Sequence, residues 1–257
     1  MSGVSSNRRR EGILDLLRER GRVNVAELAA MYDISEVTIR SDLTEMEQAG
    51  SLRRVHGGAV STKRAYYEMS LSDRMDINKD EKVRIAKACA ALIKDGDTLM
   101  IDSGTTTRYL ARELSERGNL TVVTNALLVA QEFVYNRSVN VILLGGNLDL
   151  QYQYTYGNDA ITQLQKYRAD KTIIATDGVG ADHGLTSYHH HELDVSRLMI
   201  ERSNEVVVVS DHSKIGKEGF SNITGISSID VLVTNRHDAN SAELDALREK
   251  GITVIEV

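Results

Sequence analysis

Apolar residues recur at helical spacing in three segments of the first fifty residues. The segment "SNRRREGILDLLRERG" carries Ile13 and Leu17 on one face, "NVAELAAMY" follows a capping Asn24, and "SEVTIRSDLTEMEQAG" places Ile39 and Leu43 on a third stripe. Only a short turn separates the last two segments. Three helices with this connection predict a helix-turn-helix.

Two short runs with strand-forming residues follow the third helix. The stretch "GSLRRVHGGAV" predicts strands Leu52–Val55 and Ala59–Ser61 around the turn "HGG", with Arg53 and Arg54 on the first strand. A basic hairpin directly after a helix-turn-helix is the winged arrangement, and its charges would meet the phosphate backbone of DNA.

The rest of the chain alternates β-branched runs with helical segments. Runs such as "TLMI", "LTVVT", "EVVVVS" and "ITVIEV" predict about seven strands of an open, mainly parallel α/β sheet with helices on both faces. The polar, weakly periodic stretch 61–78 separates the two patterns. We therefore predict a winged helix-turn-helix domain at 1–60, a linker at 61–78 and an α/β effector domain at 79–257.

Composition indicates a soluble globular protein. Apolar residues make up 41% of the chain, no apolar run approaches 18 residues, and no apolar stretch follows the N-terminal arginines. We therefore expect a cytoplasmic protein without a membrane segment. Cys89 lies beside an apolar helical stripe, which predicts a buried structural thiol, and a single cysteine excludes a disulfide within the chain.

The net charge of −6 is unevenly distributed. The first 64 residues carry 11 Lys and Arg against 9 Asp and Glu, whereas the remainder carries 20 against 28. This asymmetry favours a mildly basic N-terminal module on an acidic body.

The third helix has a polar face opposite its apolar stripe. Short hydroxyl side chains and an arginine near a helix N-terminus suit contacts with base edges and phosphates in a major groove. The alternative is an ordinary solvated helix face. The predicted contacts to double-stranded operator DNA, including those from the hairpin, are Ser35, Glu36, Thr38, Arg40, Ser41, Thr44, Arg53, Arg54 and His56.

Polar residues also collect where the predicted parallel strands end, which is where such sheets build ligand sites. In "IDSGTTTRYL", Gly104 lets the backbone approach a ligand, the neighbouring hydroxyls can donate hydrogen bonds, and the next helix directs its free N–H groups at the same place. This favours anion binding over a simple helix cap. Neither the P-loop nor the dinucleotide fingerprint is present.

Two sets of motifs resemble the DeoR family of bacterial repressors. They are "ISEVTIRSDLTEMEQAGSLRRVHGGAV" in the N-terminal part, and "DSGTTT", "VTNAL", "LLGG", "ATDGVG" and "SDHSK" in the body. At Ser41 the family commonly has a second arginine, so operator preference does not carry over. The resemblance implies a repressor of a carbohydrate operon, with an effector domain similar in fold to ribose-5-phosphate isomerase and the CoA transferases.

The effector implied by the resemblance is a phosphorylated sugar. Its phosphate would lie on the "SGTT" loop, and the loops after neighbouring strands would contact its hydroxyls. The predicted effector-binding residues are Asp102, Ser103, Gly104, Thr105, Thr106, Asn125, Asp177, Gly178, His189 and Lys214.

An enzyme with an accessory DNA module is the main alternative. Asp177, Lys214 and Glu192 supply the residue types of a sugar-phosphate isomerase, but His183 precedes the glycine where the isomerases carry a lysine. We therefore predict binding without catalytic residues or a cofactor. A nucleoid-type DNA binder whose body only oligomerises is a third interpretation.

The run of histidines before Glu192 raises a metal hypothesis. Only His189 and His191 would share a side of an extended segment, with His212 as a possible third ligand, and this spacing does not match the usual zinc patterns. We predict no metal. A single small winged domain makes few phosphate contacts, so a homodimer or homotetramer on repeated half-sites is expected.

Overall fold

The computed structural model describes residues 6–48, 51–61, 69 and 71–257. The chain divides into two compact units, Met1–Met69 and Ser70–Val257, which we call the N-terminal unit and the C-terminal unit.

The N-terminal unit combines three helices with a three-stranded antiparallel sheet, which confirms the predicted winged helix-turn-helix. The sheet order is β1-β3-β2. The elements are α1 (Ser6–Arg20), β1 (Arg22–Asn24), α2 (Val25–Tyr32), α3 (Glu36–Gln48), β2 (Leu52–Val55) and β3 (Gly58–Ser61).

Local chemistry sets the boundaries of these helices. Oδ1 of Asn24 accepts from the amide of Ala26 at 2.8 Å and caps α2, as predicted. Asp33, at φ 53°, ends α2 in the left-handed conformation. Oγ of Ser35 accepts from the amide of Thr38 at 3.2 Å, which satisfies a free donor at the start of α3.

Two details of the wing differ from the sequence prediction. The three-residue strand β1 was not predicted, and it pairs with β3. The strand β3 begins at Gly58 rather than Ala59, and a side chain at Gly58 would collide with the backbone carbonyl of Val23. The turn residue Gly57 has φ 78°, which favours glycine.

A buried ion pair joins the first and third helices. Nε of Arg9 lies 2.6 Å from Oδ2 of Asp42, and Nε of Arg10 lies 3.0 Å from Oδ1 of the same carboxylate. Asp42 is therefore an anchor of α3 rather than part of its exposed face.

The C-terminal unit is built on a seven-stranded parallel sheet of order β15-β14-β12-β9-β4-β5-β6, which confirms the predicted fold class. The strands of this sheet are β4 (Thr98–Ile101), β5 (Leu120–Thr124), β6 (Val139–Leu143), β9 (Ala169–Ala175), β12 (Ser203–Val209), β14 (Val231–Thr234) and β15 (Thr253–Glu256). The helices are α4 (Leu71–Asp76), α5 (Lys79–Ala90), α6 (Thr105–Leu114), α7 (Leu127–Glu132), α8 (Asn158–Leu164), α9 (Leu193–Glu201) and α10 (Ser241–Glu249).

Both faces of the sheet are buried, because successive side chains of each strand point to opposite sides. Leu99 and Ile101 of β4 pack in one apolar cluster with α5, α6 and α7, whereas Met100 packs in the other with α8, α9 and α10. Cys89 is fully buried in the first cluster, in the position predicted for a structural thiol.

Smaller elements were not predicted from sequence. Along the chain, two small antiparallel structures interrupt the strands of the main sheet. One is the hairpin of β7 (Asn147–Asp149) and β8 (Tyr154–Tyr156), and the other is the sheet of β10 (Gly178–Gly180), β11 (Gly184–Ser187) and β13 (Ser221–Thr224). Helix α4 falls within the stretch 61–78 predicted as a linker, of which residues 62–68 and 70 lie outside the described residues. Among the described helices, none combines the length and apolarity that crossing a bilayer requires.

Candidate functional site

The predicted DNA-binding residues lie at the surface of α3 and the wing. Ser35, Glu36, Thr38, Arg40 and Ser41 are exposed, and Thr44 is half-buried. Nη2 of Arg40 lies 2.6 Å from Oε2 of Glu36, one helical turn earlier. This pairing holds the guanidinium along the helix face, where both side chains remain accessible to a duplex.

The wing and α3 form one continuous polar surface. Nη1 of Arg54 donates to Oγ1 of Thr44 at 2.7 Å, and the amide of Arg54 donates to Oε1 of Glu47 at 2.7 Å. Arg53 and His56 are exposed on the same hairpin. The surface therefore has the residue types that contact base edges from a helix and phosphates from a hairpin.

Val37 is an exposed residue of α3 that sequence reasoning missed. Its side chain is 73% exposed in the first turn of the helix, among the polar residues of the predicted face. An apolar side chain at such a position can contact the methyl group of thymine. A valine outside the apolar stripe of an otherwise amphipathic helix was the available signal.

The second candidate site lies at the carboxyl ends of four adjacent strands of the main sheet. Asn125 follows β5, Asp102 follows β4, Asp177 follows β9 and Asp211 follows β12. All four side chains are buried. The sheet order thus brings together polar residues that are far apart in sequence.

The loop after β4 leads into α6 as predicted. Gly104 has φ 153°, and a Cβ there would lie 2.6 Å from Cβ of Ala175, so a side chain would not fit without movement. Gly104, the residue before α6, has no side chain that could cap the first turn of this helix. Amides at the start of a helix can bind an anion, and the helix dipole favours negative charge there.

Two acidic residues flank this loop. Oδ1 of Asp102 accepts from the amide of Ser103 at 2.8 Å, and its Oδ2 accepts from Oγ of Ser196 at 3.0 Å. Oγ of Ser103 donates to Oε2 of Glu192 at 2.5 Å. Burial raises the pKa of Asp102 well above the usual value, and burial together with the charge of Asp102 does the same to the pKa of Glu192. The pair therefore carries less than its full negative charge near neutral pH.

Asp177 is the centre of a second group. Its Oδ1 lies 3.2 Å from Nη2 of Arg74, its Oδ2 accepts from the amide of Tyr188 at 3.0 Å, and its Oδ2 lies 3.8 Å from Nε2 of His189. Burial opposes ionisation of Asp177, but the charges of Arg74 and Lys214 and the amide of Tyr188 hold its pKa below the usual value. Asp177 is thus a carboxylate, surrounded by cationic and polar partners.

His189 is buried in this group as a neutral ring. Burial lowers its pKa to about 4, against the opposing effect of Asp177. Its ring centroid lies 4.1 Å from that of Tyr152, and its Nε2 lies 3.2 Å from Nη1 of Arg74. His189 therefore supplies a hydrogen-bonding ring to the site and no charge.

Two lysines complete the cluster. Nζ of Lys82 donates to the carbonyl of Arg74 at 2.6 Å. Burial lowers the pKa of Lys82 and of Lys214 to about 8, with Asp211 acting in the opposite direction on both. Both lysines keep most of their charge at neutral pH. Together with Arg74 they place three cations around Asp177 and Asp211, an arrangement that suits an anionic ligand.

Asn125 offers an acceptor to a ligand. Its Nδ2 donates to the carbonyl of Thr155 at 3.1 Å, whereas its buried Oδ1 accepts no hydrogen bond from the described residues. Such atoms are rare in proteins, since a buried unpaired acceptor costs about 1–3 kcal/mol. A ligand hydroxyl is a suitable donor. Gly178, in contrast, is enclosed by Lys217 and Thr186, which makes it a packing position.

Sequence reasoning missed Arg74 and Lys82 at this site. Arg74 lies in the stretch predicted as a linker, and Lys82 lies on a helix that is recognisable in the sequence by its apolar stripe. The histidine run does not bring three ligands together, since the described residues include no group of three His, Cys, Asp or Glu side chains arranged to hold a metal ion. The rings of His190 and His191 contact each other instead, with centroids 3.9 Å apart.

Family models match both halves of the chain. Residues 9–65 match the DeoR-like helix-turn-helix domain, and residues 77–236 match the DeoR C terminal sensor domain. The second match alone spans more than half of the chain.

Curated relatives are similar over nearly the full length. The HTH-type transcriptional repressor GlcR of Bacillus subtilis is 31% identical over 243 residues, which cover 95% of this chain and 93% of that protein. The glycerol-3-phosphate regulon repressor of Escherichia coli is 33% identical over 232 residues, covering 90% of this chain and 92% of that one. The names of both relatives describe transcriptional repressors, the class of protein that the sequence predicted for this chain.

Among solved structures, ribose 5-phosphate isomerase A from Methanocaldococcus jannaschii aligns with a TM-score of 0.40 and 20% identity, over 53% of this chain and 54% of that one. The two matched domains, the full-length relatives, the winged helix-turn-helix and the parallel sheet lead to one assignment. The chain belongs to the DeoR family of helix-turn-helix transcriptional regulators, and it joins a DNA-binding unit to a sensor domain.

Proposed function

We propose that this protein represses a carbohydrate-catabolism operon and that a phosphorylated sugar, bound at the strand-end site of the C-terminal unit, controls its binding to the operator. The observation that carries the proposal is the convergence of Arg74, Lys82 and Lys214, whose charges act on one another at the strand ends. Three clustered cations are matched by a phosphate better than by a neutral sugar. The name of the E. coli relative points the same way, because that protein regulates a glycerol-3-phosphate regulon.

The remaining polar groups suit the hydroxyls of a sugar. Oδ1 of Asn125 is a buried acceptor, and Asp177 is an acceptor that titrates well below neutral pH. Burial raises the pKa of Asp102 and of Glu192, which reduces the negative charge that an anionic ligand would meet. We therefore keep the predicted effector-binding residues, except Gly178, whose role is packing, and add Arg74 and Lys82.

A thermal-shift screen of the full chain tests the ligand. The panel comprises three-carbon to six-carbon sugar phosphates, each paired with its unphosphorylated sugar as a control. A ligand at about 100 times its Kd stabilises the folded state by about 2.7 kcal/mol, which for a unit of this size corresponds to about 5–10 °C in Tm. We expect a shift from at least one sugar phosphate and none from its unphosphorylated partner. A panel without any shift would contradict the proposal.

Selection of duplexes from a random library tests the DNA side. The full chain should enrich a short sequence, and a repeated half-site in that sequence would support the predicted homodimer or homotetramer. The panel member with the largest thermal shift should then change the affinity for the selected duplex in a gel-shift assay. An affinity that no sugar phosphate alters would mean that the site does not control DNA binding.

A further inference from the structure

Arg74 differs from the other cations of the site because it belongs to the first helix of the C-terminal unit. Helix α4 begins two residues after Met69, the last residue of the N-terminal unit. The side chain of Arg74 nevertheless reaches the strand-end loops and is only 11% exposed. One residue thus connects the start of the unit with the centre of its proposed ligand site.

The contacts of Arg74 come from three separate parts of the site. Nη2 lies 3.2 Å from Asp177 after β9, Nη1 lies 3.2 Å from His189 before α9, and the guanidinium carbon lies 5.4 Å from the ring centroid of Tyr152. The backbone of the same helix is held as well, by Lys82 on the carbonyl of Arg74 and by the hydroxyl of Tyr109 on the carbonyl of Met75 at 3.2 Å. The position of α4 therefore depends on what its arginine binds.

A phosphate competes directly for this guanidinium. Arginine binds carboxylates and phosphates through the same fork of N–H donors, and it forms its strongest bonds when both donors meet one anion. The contact between Nη2 and Oδ1 of Asp177 is 3.2 Å long, whereas charge-assisted bonds of this kind are typically about 2.7–2.9 Å, so a phosphate held by both prongs would bind more strongly. An anion that takes Nη1 and Nη2 together would separate Arg74 from Asp177 and His189.

We propose that Arg74 couples ligand occupancy to DNA binding, by exchanging Asp177 for the phosphate of the ligand and thereby moving α4 at the point where the chain enters the C-terminal unit. This inference rests on the proposed function. It assigns the coupling between ligand and DNA binding to Arg74. Lys82 and Lys214, which lie on later elements of the unit, supply charge for ligand binding only. A ligand changes DNA affinity only through its different affinity for two arrangements of the protein, and in this proposal the two arrangements differ in the position of α4.

The test compares Arg74→Met with Lys214→Met in the full chain. The probe is the sugar phosphate with the largest wild-type thermal shift, and the readout is the ratio of affinities for the selected duplex without and with saturating probe. Coupling ratios of about 5–150-fold are typical of allosteric proteins. Arg74→Met should reduce the ratio to less than about twofold at saturation. Lys214→Met should raise the probe concentration needed, yet reach a wild-type ratio once the site is full.

Two further variants separate coupling from folding. Arg84→Met removes an exposed arginine of α5, with a side chain 52% exposed, and should leave the ratio and the Tm unchanged. Arg74→Met combined with Asp177→Asn removes both charges of the pair, so that no carboxylate is left buried without its partner, and should remain folded but uncoupled. Arg74→Lys keeps the positive charge but lacks the two parallel N–H donors of the guanidinium, and it should retain a reduced ratio of duplex affinities.

The outcomes distinguish this inference from the function on which it rests. If Arg74→Met binds the probe and keeps the wild-type ratio, the inference is wrong and the proposed function stands. If Lys214→Met loses the ratio at saturation to the same extent as Arg74→Met, the coupling belongs to the whole cation cluster and the assignment to Arg74 fails. If the wild-type chain responds to no sugar phosphate, both proposals fail together.

Discussion

Replacing Asp42 by alanine should destabilise the N-terminal unit selectively. The carboxylate lies between Arg9 at 2.6 Å and Arg10 at 3.0 Å, and the side chains of Asp42 and Arg9 are 4% and 10% exposed. Removing one partner of a buried ion pair costs about 3–5 kcal/mol, because the other charge stays buried with less compensation. Arg10 keeps its contact with Glu45 at 2.6 Å, so we expect a loss of folding free energy at the lower end of this range, about 3 kcal/mol.

That loss is large relative to the stability of such a unit. At about 0.05–0.15 kcal/mol per residue, a unit of this length is stable by roughly 3–10 kcal/mol. A loss of about 3 kcal/mol raises the unfolded fraction by more than about 100-fold. The N-terminal unit of Asp42→Ala should therefore open at temperatures at which the parallel sheet of the C-terminal unit remains protected.

Hydrogen exchange followed by mass spectrometry measures this effect within the full chain. Peptides from α1 and α3 should lose protection by about two orders of magnitude, whereas peptides from β9 and β12 should not change. Glu45→Ala is the matched control, because Glu45 contacts the same Arg10 but its side chain is 53% exposed, and such surface pairs contribute less than about 1 kcal/mol. Equal protection of α1 and α3 in the two variants would refute the anchoring role of Asp42.

Lowering the pH should weaken the same ion pairs of Asp42 with Arg9 and Arg10. Burial opposes ionisation of Asp42, but the hydrogen bonds from Arg9 and Arg10 hold its pKa below the usual value. The contribution to stability is therefore complete above the unfolded pKa of about 3.9 and is lost as the pH falls through the lower, folded value. Protection of α1 and α3, corrected for the intrinsic exchange rate, should decrease below about pH 4 in the wild type, and this additional decrease should be absent in Asp42→Ala.

Three other predictions concern the two candidate sites and the core. Arg40→Ala and Arg53→Ala should each weaken binding to the selected duplex and reduce the slope of log K against log salt by about 1, and unchanged gel-shift affinity in both variants would exclude this face. Gly104→Val should abolish the thermal shift by sugar phosphates and spare duplex binding, because its Cβ would lie 2.6 Å from Cβ of Ala175, and a ligand response that survives would contradict the role of the loop. Cys89 should not react with a thiol reagent at pH 8 until the protein unfolds, because burial raises the pKa of its thiol to about 12, and rapid labelling of the native protein would contradict its burial.

Elements with a local signature could be predicted from the sequence almost to the residue. The start of α2 follows from the Asn24 cap, and strand β2 has the predicted bounds Leu52–Val55. The parallel strands were also recognisable, since most are short β-branched runs and the central ones are largely buried on both faces. The alternation of strands and helices then indicated which loops share one edge of the sheet.

Elements that depend on distant partners could not be predicted in this way. Strand β1 has three residues and exists because β3 pairs with it, more than thirty residues later. Asp42 looks like one more polar residue of α3 until Arg9 and Arg10 are brought against it by the packing of α1. Arg74 stands in a stretch without clear periodicity, and its partner Asp177 is 103 residues away. A pattern within one element contains no information about such contacts.

The charge of this chain shows why the same limit applies to function. A net charge of −6 argues against binding any anion, yet the family binds DNA and we propose a phosphate ligand for the acidic C-terminal part. The two statements agree once the positions of the charges are considered. Acidic side chains on the surface are screened by water and salt, whereas charges in a buried site act over short distances at a lower dielectric constant. At the strand ends, Arg74, Lys82 and Lys214 lie around Asp177 and Asp211, and burial reduces the negative charge of Asp102 and Glu192. What a site binds is therefore determined by the few ionised groups that the fold buries next to it, and the sum over the chain does not reveal their sign.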